Sequence, residues 1–139
     1  MDISHLIKMG FKLLCLIGIV IILCGNVLNA QDLTDKNFKS KVSKGFVLVK
    51  FTADYQMQNI DPALLKGVKG HEGCVIIEVN HEDVKKVVKK LRIRNFPSMA
   101  LFHNGSKKKV WKADMDGVVD VTNKDIKSEI EDAMAGDVF

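Results

Sequence analysis

Residues 47–62, VLVKFTADYQMQNIDP, have the form of a reactive site. An apolar run, Val47, Leu48 and Val49 with Phe51 after one lysine, gives way to a polar stretch from Asp54 to Asn59 and then to Pro62. That order predicts a buried strand, a loop and a helix. In an open α/β sheet, ligands and chemistry gather where a strand's carboxyl end passes into a helix N-terminus. Here that place holds Tyr55, Gln56, Met57, Gln58 and Asn59. None of these side chains titrates near neutral pH, and none is a good nucleophile.

Other reactive residues lie elsewhere. Cys74 with His71 offers a thiol and a base. Cys74 also opens an apolar run, where a buried thiol behaves as a small apolar residue. His71, His81 and His103 lack metal-ligand spacing. Asp114, Asp116, Gly117 and Asp120 resemble part of a calcium loop, but the third aspartate position is empty and Asn123 stands where the closing glutamate belongs. No metal or cofactor is implied.

The elements that must position these residues alternate. Residues 31–45 read as an opening strand fragment and then a helix, which Thr34 is placed to cap, with Phe38 and Val42 on one face and Gly45 at its end. A strand over Phe46 to Phe51 follows, then a short helix from Pro62 weakened by Gly67 and Gly70. Cys74 to Val79 (CVIIEV) reads as a central strand covered on both faces. Asn80 caps a helix whose apolar stripe is Val84, Val87, Val88 and Leu91. Lys85, Lys86, Lys89 and Lys90 form its outer face. With Arg92 and Arg94 they make either a solvated face or a basic patch for an anionic partner. Pro97 starts a strand, Met99 to Phe102, and Asn104-Gly105 turns it back into Lys108 to Lys112. Trp111 on that hairpin is either an exposed contact or packing on the last helix. Thr122 caps that helix, with Ile126, Ile130 and Met134 on its inner stripe.

The first thirty residues differ from the rest. Lys8 and Lys12 precede an unbroken apolar run, LLCLIGIVIILC, and Ala30 offers a small residue at a cut. This is the pattern of a secretory signal peptide over residues 1–30, with a mature domain over 31–139. The run is shorter than the roughly 20 residues a spanning helix needs, so an uncleaved anchor is the alternative. Cleavage removes Cys15 and Cys24 and leaves Cys74 alone, without an internal disulfide. The expected location is the secretory pathway or beyond (secreted, endoplasmic reticulum lumen or periplasm), or membrane-anchored if uncut. A chain of 139 residues with 47% apolar side chains suits one domain with a short extension, and a net charge of +4 points to no nucleic-acid partner.

Taken in order, VLVKFTA, VIIEVN, IRNFPS and MALFHNG resemble the ordered motifs of a thioredoxin-fold domain over residues 33–135. The resemblance implies an α/β, three-layer sandwich with a central mixed sheet flanked by helices, and agrees with the alternation of elements. It sets Tyr55 at the family's loop tryptophan, Gln56 at its nucleophilic cysteine and Asn59 at its resolving cysteine. Lys50 stands where the family has a buried acid. Thiol–disulfide exchange needs a thiolate to attack and a second thiol to resolve, and an amide does neither. The resemblance further implies a cis peptide bond at Pro97, with the backbone of Phe96 pairing with an extended chain. The expected site is thus a peptide-binding groove of Tyr55, Gln56, Met57, Asn59, Phe96 and Pro97. The expected function is a redox-inactive module or complex subunit that binds a protein or extended peptide, with a membrane involved only if the N-terminal segment stays. The competing readings are a divergent oxidoreductase or chaperone of the thioredoxin and protein disulfide isomerase family, using Cys74 as a lone thiol, and a purely structural subunit.

Overall fold

The computed structural model describes residues 33–54, 60 and 62–137. Expectations about residues 1–32 and 55–59 lie outside the described residues. The described elements are α1 (Phe38–Lys41), β1 (Phe46–Thr52), α2 (Pro62–Val68), β2 (Val75–Asn80), α3 (Lys85–Leu91), β3 (Ser98–His103), β4 (Ser106–Trp111) and α4 (Asn123–Gly136). A 3-10 turn, His81–Val84, leads into α3. The four described strands form one mixed sheet in the order β2-β1-β3-β4. β1 runs parallel to β2 and antiparallel to β3, and β3 runs antiparallel to β4.

Alternation along β1 explains why its sequence is apolar at nearly every step. Val47, Val49 and Phe51 enter one layer with Phe38 and Val42 from the α1 side and Val84 and Val88 from the α3 side. Phe46 and Leu48 enter the other, with Val68 of α2 and Ile126 and Ile130 of α4. A strand covered on both faces has no solvent side, so no polar alternation appears. This is the expected three-layer sandwich. Trp111 packs into the α2/α4 layer, which decides its reading for packing.

Among the described residues β2 pairs only with β1, and Val75 is 45% exposed. Ile77 packs into the α1/α3 layer and Ile76 into the α2/α4 layer, so the apolar run of β2 meets both. Cys74, just before it, is buried as expected. The returning hairpin strand starts earlier than Lys108. Leu101 pairs with Lys109 but Phe102 with Lys107, so Lys108 is the extra residue of a bulge. The turn itself is as expected: Asn104 and Gly105 both have positive φ, +48° and +82°, the pair that a tight right-twisting hairpin requires.

The helix ends show how distant residues fix the frame. Thr122 and Asp125 form a capping box on α4, and the two hydrogen bonds from Thr122 hold the Asp125 carboxyl below its ordinary range. Ala133, one turn beyond Ile130, completes the buried stripe, whereas Met134 turns outward at 41% exposure. Thr34 does not cap α1 with its side chain. Its N–H instead donates to Asn37 Oδ1 at 2.7 Å. The neighbouring Asp35 caps a different helix. Its carboxylate accepts from the N–H groups of Lys86 and Val87, each at 3.1 Å. Asn80 caps only the 3-10 turn, accepting from Glu82 N–H at 3.0 Å.

Candidate functional site

The carboxyl ends of β1 and β2 meet the bend that leads into β3. The Phe96–Pro97 peptide is cis, and Ser98 opens β3 opposite Phe51. Phe96 and Pro97 are both buried, and the Phe96 ring belongs to the α1/α3 layer. It packs on the His81 ring at a centroid separation of 4.6 Å. His81 Nδ1 lies 3.2 Å from the Thr52 carbonyl oxygen. A carbonyl only accepts, so Nδ1 carries the hydrogen. Asn80 Nδ2 donates to Asp54 Oδ1 at 2.8 Å, and Thr52 Oγ1 donates to the Val79 carbonyl at 3.3 Å. These bonds tie the last residues of β1 to the last residues of β2, beneath the bend.

The bend is pinned from its other side by a buried serine. Ser98 has no exposed surface. Its hydroxyl donates to the Asn95 carbonyl at 2.7 Å and accepts from Ala113 N–H at 3.0 Å. Asn95 Nδ2 donates to the Ala113 carbonyl at 3.3 Å. One hydroxyl thus bridges the residue before the bend and the chain leaving β4. Sequence reasoning missed both Ser98 and His81 as site-shaping residues. For His81 the available signal was its place directly after Asn80, at the carboxyl end of β2. For Ser98 it was a small hydroxyl residue directly after Pro97.

The charged partner at β1 is reversed in sense. Lys50 is buried, and its Nζ lies 3.3 Å from Glu78 Oε2 on the neighbouring strand, where the two residues are in register. Where the resemblance expects an acid on β1, the ammonium stands there and the carboxylate comes from β2. Glu78 is itself half exposed, so this position supplies no buried carboxyl.

Cys74 lies at the far end of the sheet. Val75 pairs with Val47 at the start of β1, whereas the bend meets its other end. At ~3.3 Å per residue, the strand separates the thiol from the bend by roughly 20 Å. Burial pushes the Cys74 thiol up, with a backbone hydrogen bond from Leu48 offsetting part of the rise. Sγ also lies 3.9 Å from the Val75 carbonyl, to which it donates. His71 meets Cys74 through its backbone, accepting from Cys74 N–H at 2.8 Å. Its Nε2 instead faces Glu131 at 4.0 Å, too far for a hydrogen bond. The two side chains do not form a nucleophile and base. Among the described residues no three metal-ligating side chains cluster. The Asp114 carboxylate is occupied by its own loop, accepting from Asp116 and Val118 N–H at 2.9 Å each. The expected groove residues Tyr55, Gln56, Met57 and Asn59 lie outside the described residues.

The thioredoxin family's sequence profile matches residues 29–132. The chain belongs to the thioredoxin family. Among solved structures, a Plasmodium falciparum thioredoxin is similar at 24% identity and a TM-score of 0.54, over 71% of this chain and 93% of that one. The solution structure of the oxidised Plasmodium falciparum thioredoxin is similar at 23% identity and a TM-score of 0.51, over 72% and 92% of the two chains. A chain from a study of thiol resolution in yeast mitochondrial 1-Cys peroxiredoxin, through the glutathione and thioredoxin systems, gives 13% identity and a TM-score of 0.54 over 72% and 92%. These likenesses show the thioredoxin fold. No curated protein sequence matches the chain.

Proposed function

We propose that this thioredoxin-family domain binds an extended segment of a partner protein and does no thiol–disulfide chemistry. The observation that carries the reading is the placement of Cys74. It is the only cysteine outside the first thirty residues, it is buried, and it stands at the opposite end of the sheet from the cis-Pro97 bend. A thiolate must form and be reached before it can attack. Burial opposes the first requirement and position opposes the second. Gln56 and Asn59, at the family's two cysteine positions, supply neither nucleophile nor resolving thiol.

The bend itself is kept with care. Its fixing by Ser98, Asn95 and Ala113, and its packing on His81, hold the residue before Pro97 in one orientation. In the family, that residue's backbone pairs with an extended chain. A domain retaining this support without thiols suits recognition by strand pairing. The N-terminal segment, read as a signal peptide cut after Ala30, puts this recognition in the secretory pathway or outside the cell, or at a membrane if the segment remains.

The test is amide chemical-shift mapping of the domain against a library of extended peptides. Shifts concentrated at residues 52–54 and 94–98 support the reading. Binding confined to other surfaces, or none across the library, overturns it. N-terminal sequencing of the exported protein should begin at Gln31, and recovery of an intact N-terminus in a membrane fraction would favour the anchor.

A further inference from the structure

The end of α3 breaks a local rule. Arg92 N–H bonds to the Lys89 carbonyl and Ile93 N–H to the Val88 carbonyl, each at 3.1 Å. This is a Schellman closure, and it puts Arg92 in the left-handed region at φ +55°. Glycine takes that position without a steric penalty, whereas an arginine carries one. A residue that opposes its local conformation is often held there for another purpose.

The surface around it supplies the purpose. Arg92 and Arg94 line two adjoining shallow concavities. One, of about 380 Å³, is completed by His81, Lys85, Lys89 and the apolar floor of Val88 and Ile93. The other, of about 330 Å³, is completed by Asn95, Lys112 and Ala113. Lys85, Lys89, Arg92, Arg94 and Lys112 are all exposed. Among the described residues none of the five forms an ion pair, although Lys50 pairs with Glu78 and Lys109 with Glu129. Glu82 and Asp83 beside α3 and Asp114 beside Lys112, the acids nearest in sequence, form no ion pair with them, and the Asp114 carboxylate accepts from its own loop. The Asp35 carboxylate is turned to the backbone of α3.

We propose that this cationic row docks an acidic stretch of a protein partner. Guanidinium forks on a concave surface suit the planar carboxylates of Asp and Glu. The row ends at Asn95, beside Phe96 and Pro97, so an acidic segment lying along it continues into the bend. That continuation rests on the reading of the bend as a peptide-binding edge; the charge docking stands without it. Among the described residues the row has no stacked aromatic platform of the kind single-stranded nucleic acid uses, nor the exposed aromatic or apolar flank that seats a basic helix in a membrane.

The experiment titrates the exported protein with fluorescein-labelled oligoglutamate and, as a neutral counterpart, oligoglutamine. Oligoglutamate is expected to bind, oligoglutamine not, with affinity falling as salt rises from about 50 to 200 mM. Arg92→Glu with Arg94→Glu is expected to weaken binding at least ~10-fold. Lys66→Glu with Lys69→Glu makes the same charge change on the α2 side of the sheet and is expected to cost less than ~2-fold. If the first pair fails to fold, Lys85→Gln with Lys89→Gln is expected to give a partial loss. No oligoglutamate binding, equal losses in both charge-reversed pairs, or binding to phosphatidylserine vesicles without oligoglutamate binding overturns the proposal. Shifts at residues 94–98 with a neutral extended peptide report on the bend separately. Their absence alongside normal oligoglutamate binding would sink the groove reading and leave the acidic docking intact.

Discussion

Replacing Ser98 with alanine removes one oxygen and strands two backbone groups. The Asn95 carbonyl loses its 2.7 Å donor and the Ala113 N–H loses its 3.0 Å acceptor. Ser98 is fully buried and Ala113 is 6% exposed, so water reaches the orphaned N–H poorly. A buried polar group left without a partner costs about 1–3 kcal/mol. Asn95 is only half-buried, and its carbonyl recovers part of the loss from solvent. The expected total for Ser98→Ala is therefore about 2–4 kcal/mol. For a domain of this size that lowers Tm by roughly 10–20 °C. Urea unfolding followed by circular dichroism gives the free energy directly, with an unchanged slope expected because the surface exposed on unfolding is the same. Ser98→Thr keeps the hydroxyl and is expected to stay within about 1.5 kcal/mol of wild type, the cost of fitting one methyl into a packed site. Because Ser98 holds the bend, the alanine variant should also weaken binding of an extended peptide. A loss below about 0.5 kcal/mol would refute the reasoning, since it would put the hydroxyl's role within ordinary surface variation.

Three further outcomes follow from the same geometry. Asp35→Ala removes the side-chain cap of α3 and is expected to cost about 1–2 kcal/mol, with Asp35→Asn intermediate; hydrogen exchange at Lys86 and Val87 should speed up in both. Arg92→Gly relieves the left-handed arginine and is expected to raise stability by about 1 kcal/mol in the same urea assay while weakening oligoglutamate binding. Burial raises the Cys74 thiol, so the folded state favours the protonated form. The stability this provides is present below the unfolded thiol's value and is lost as pH rises through the folded one. Between about pH 8 and pH 10, wild type should therefore lose more stability than Cys74→Ala, read as the difference between their urea midpoints.

Local signals carried much of this fold. The apolar run of β1, the Asn104-Gly105 turn and the Thr122 cap each depend on residues a few positions apart. The cis bond at Pro97 came from the family resemblance. What was not legible depends on distance in the chain. Asp35 caps a helix through an N–H fifty-one residues later, and nothing local distinguishes it from an acid in its own helix's first turn. Ser98 acts through Ala113, across the β3–β4 hairpin. His81 looked inert because its histidine spacing fits no metal; its contact with Phe96 arises only when the ends of β2 and α3 are folded together. Met134 was misplaced by one position because Ala133, small and unremarked, lies nearer the inward face of α4.

The central claim is that this thioredoxin-family domain keeps the supported cis-Pro97 bend and performs no thiol exchange. Insulin reduction, driven by dithiothreitol and run beside an active thioredoxin, tests it most directly. The account predicts turnover equal to buffer for the wild-type protein, and the same trace for Cys74→Ser. Turnover above buffer that disappears in Cys74→Ser would contradict it, because the buried thiol at the far end of the sheet would then be the working nucleophile.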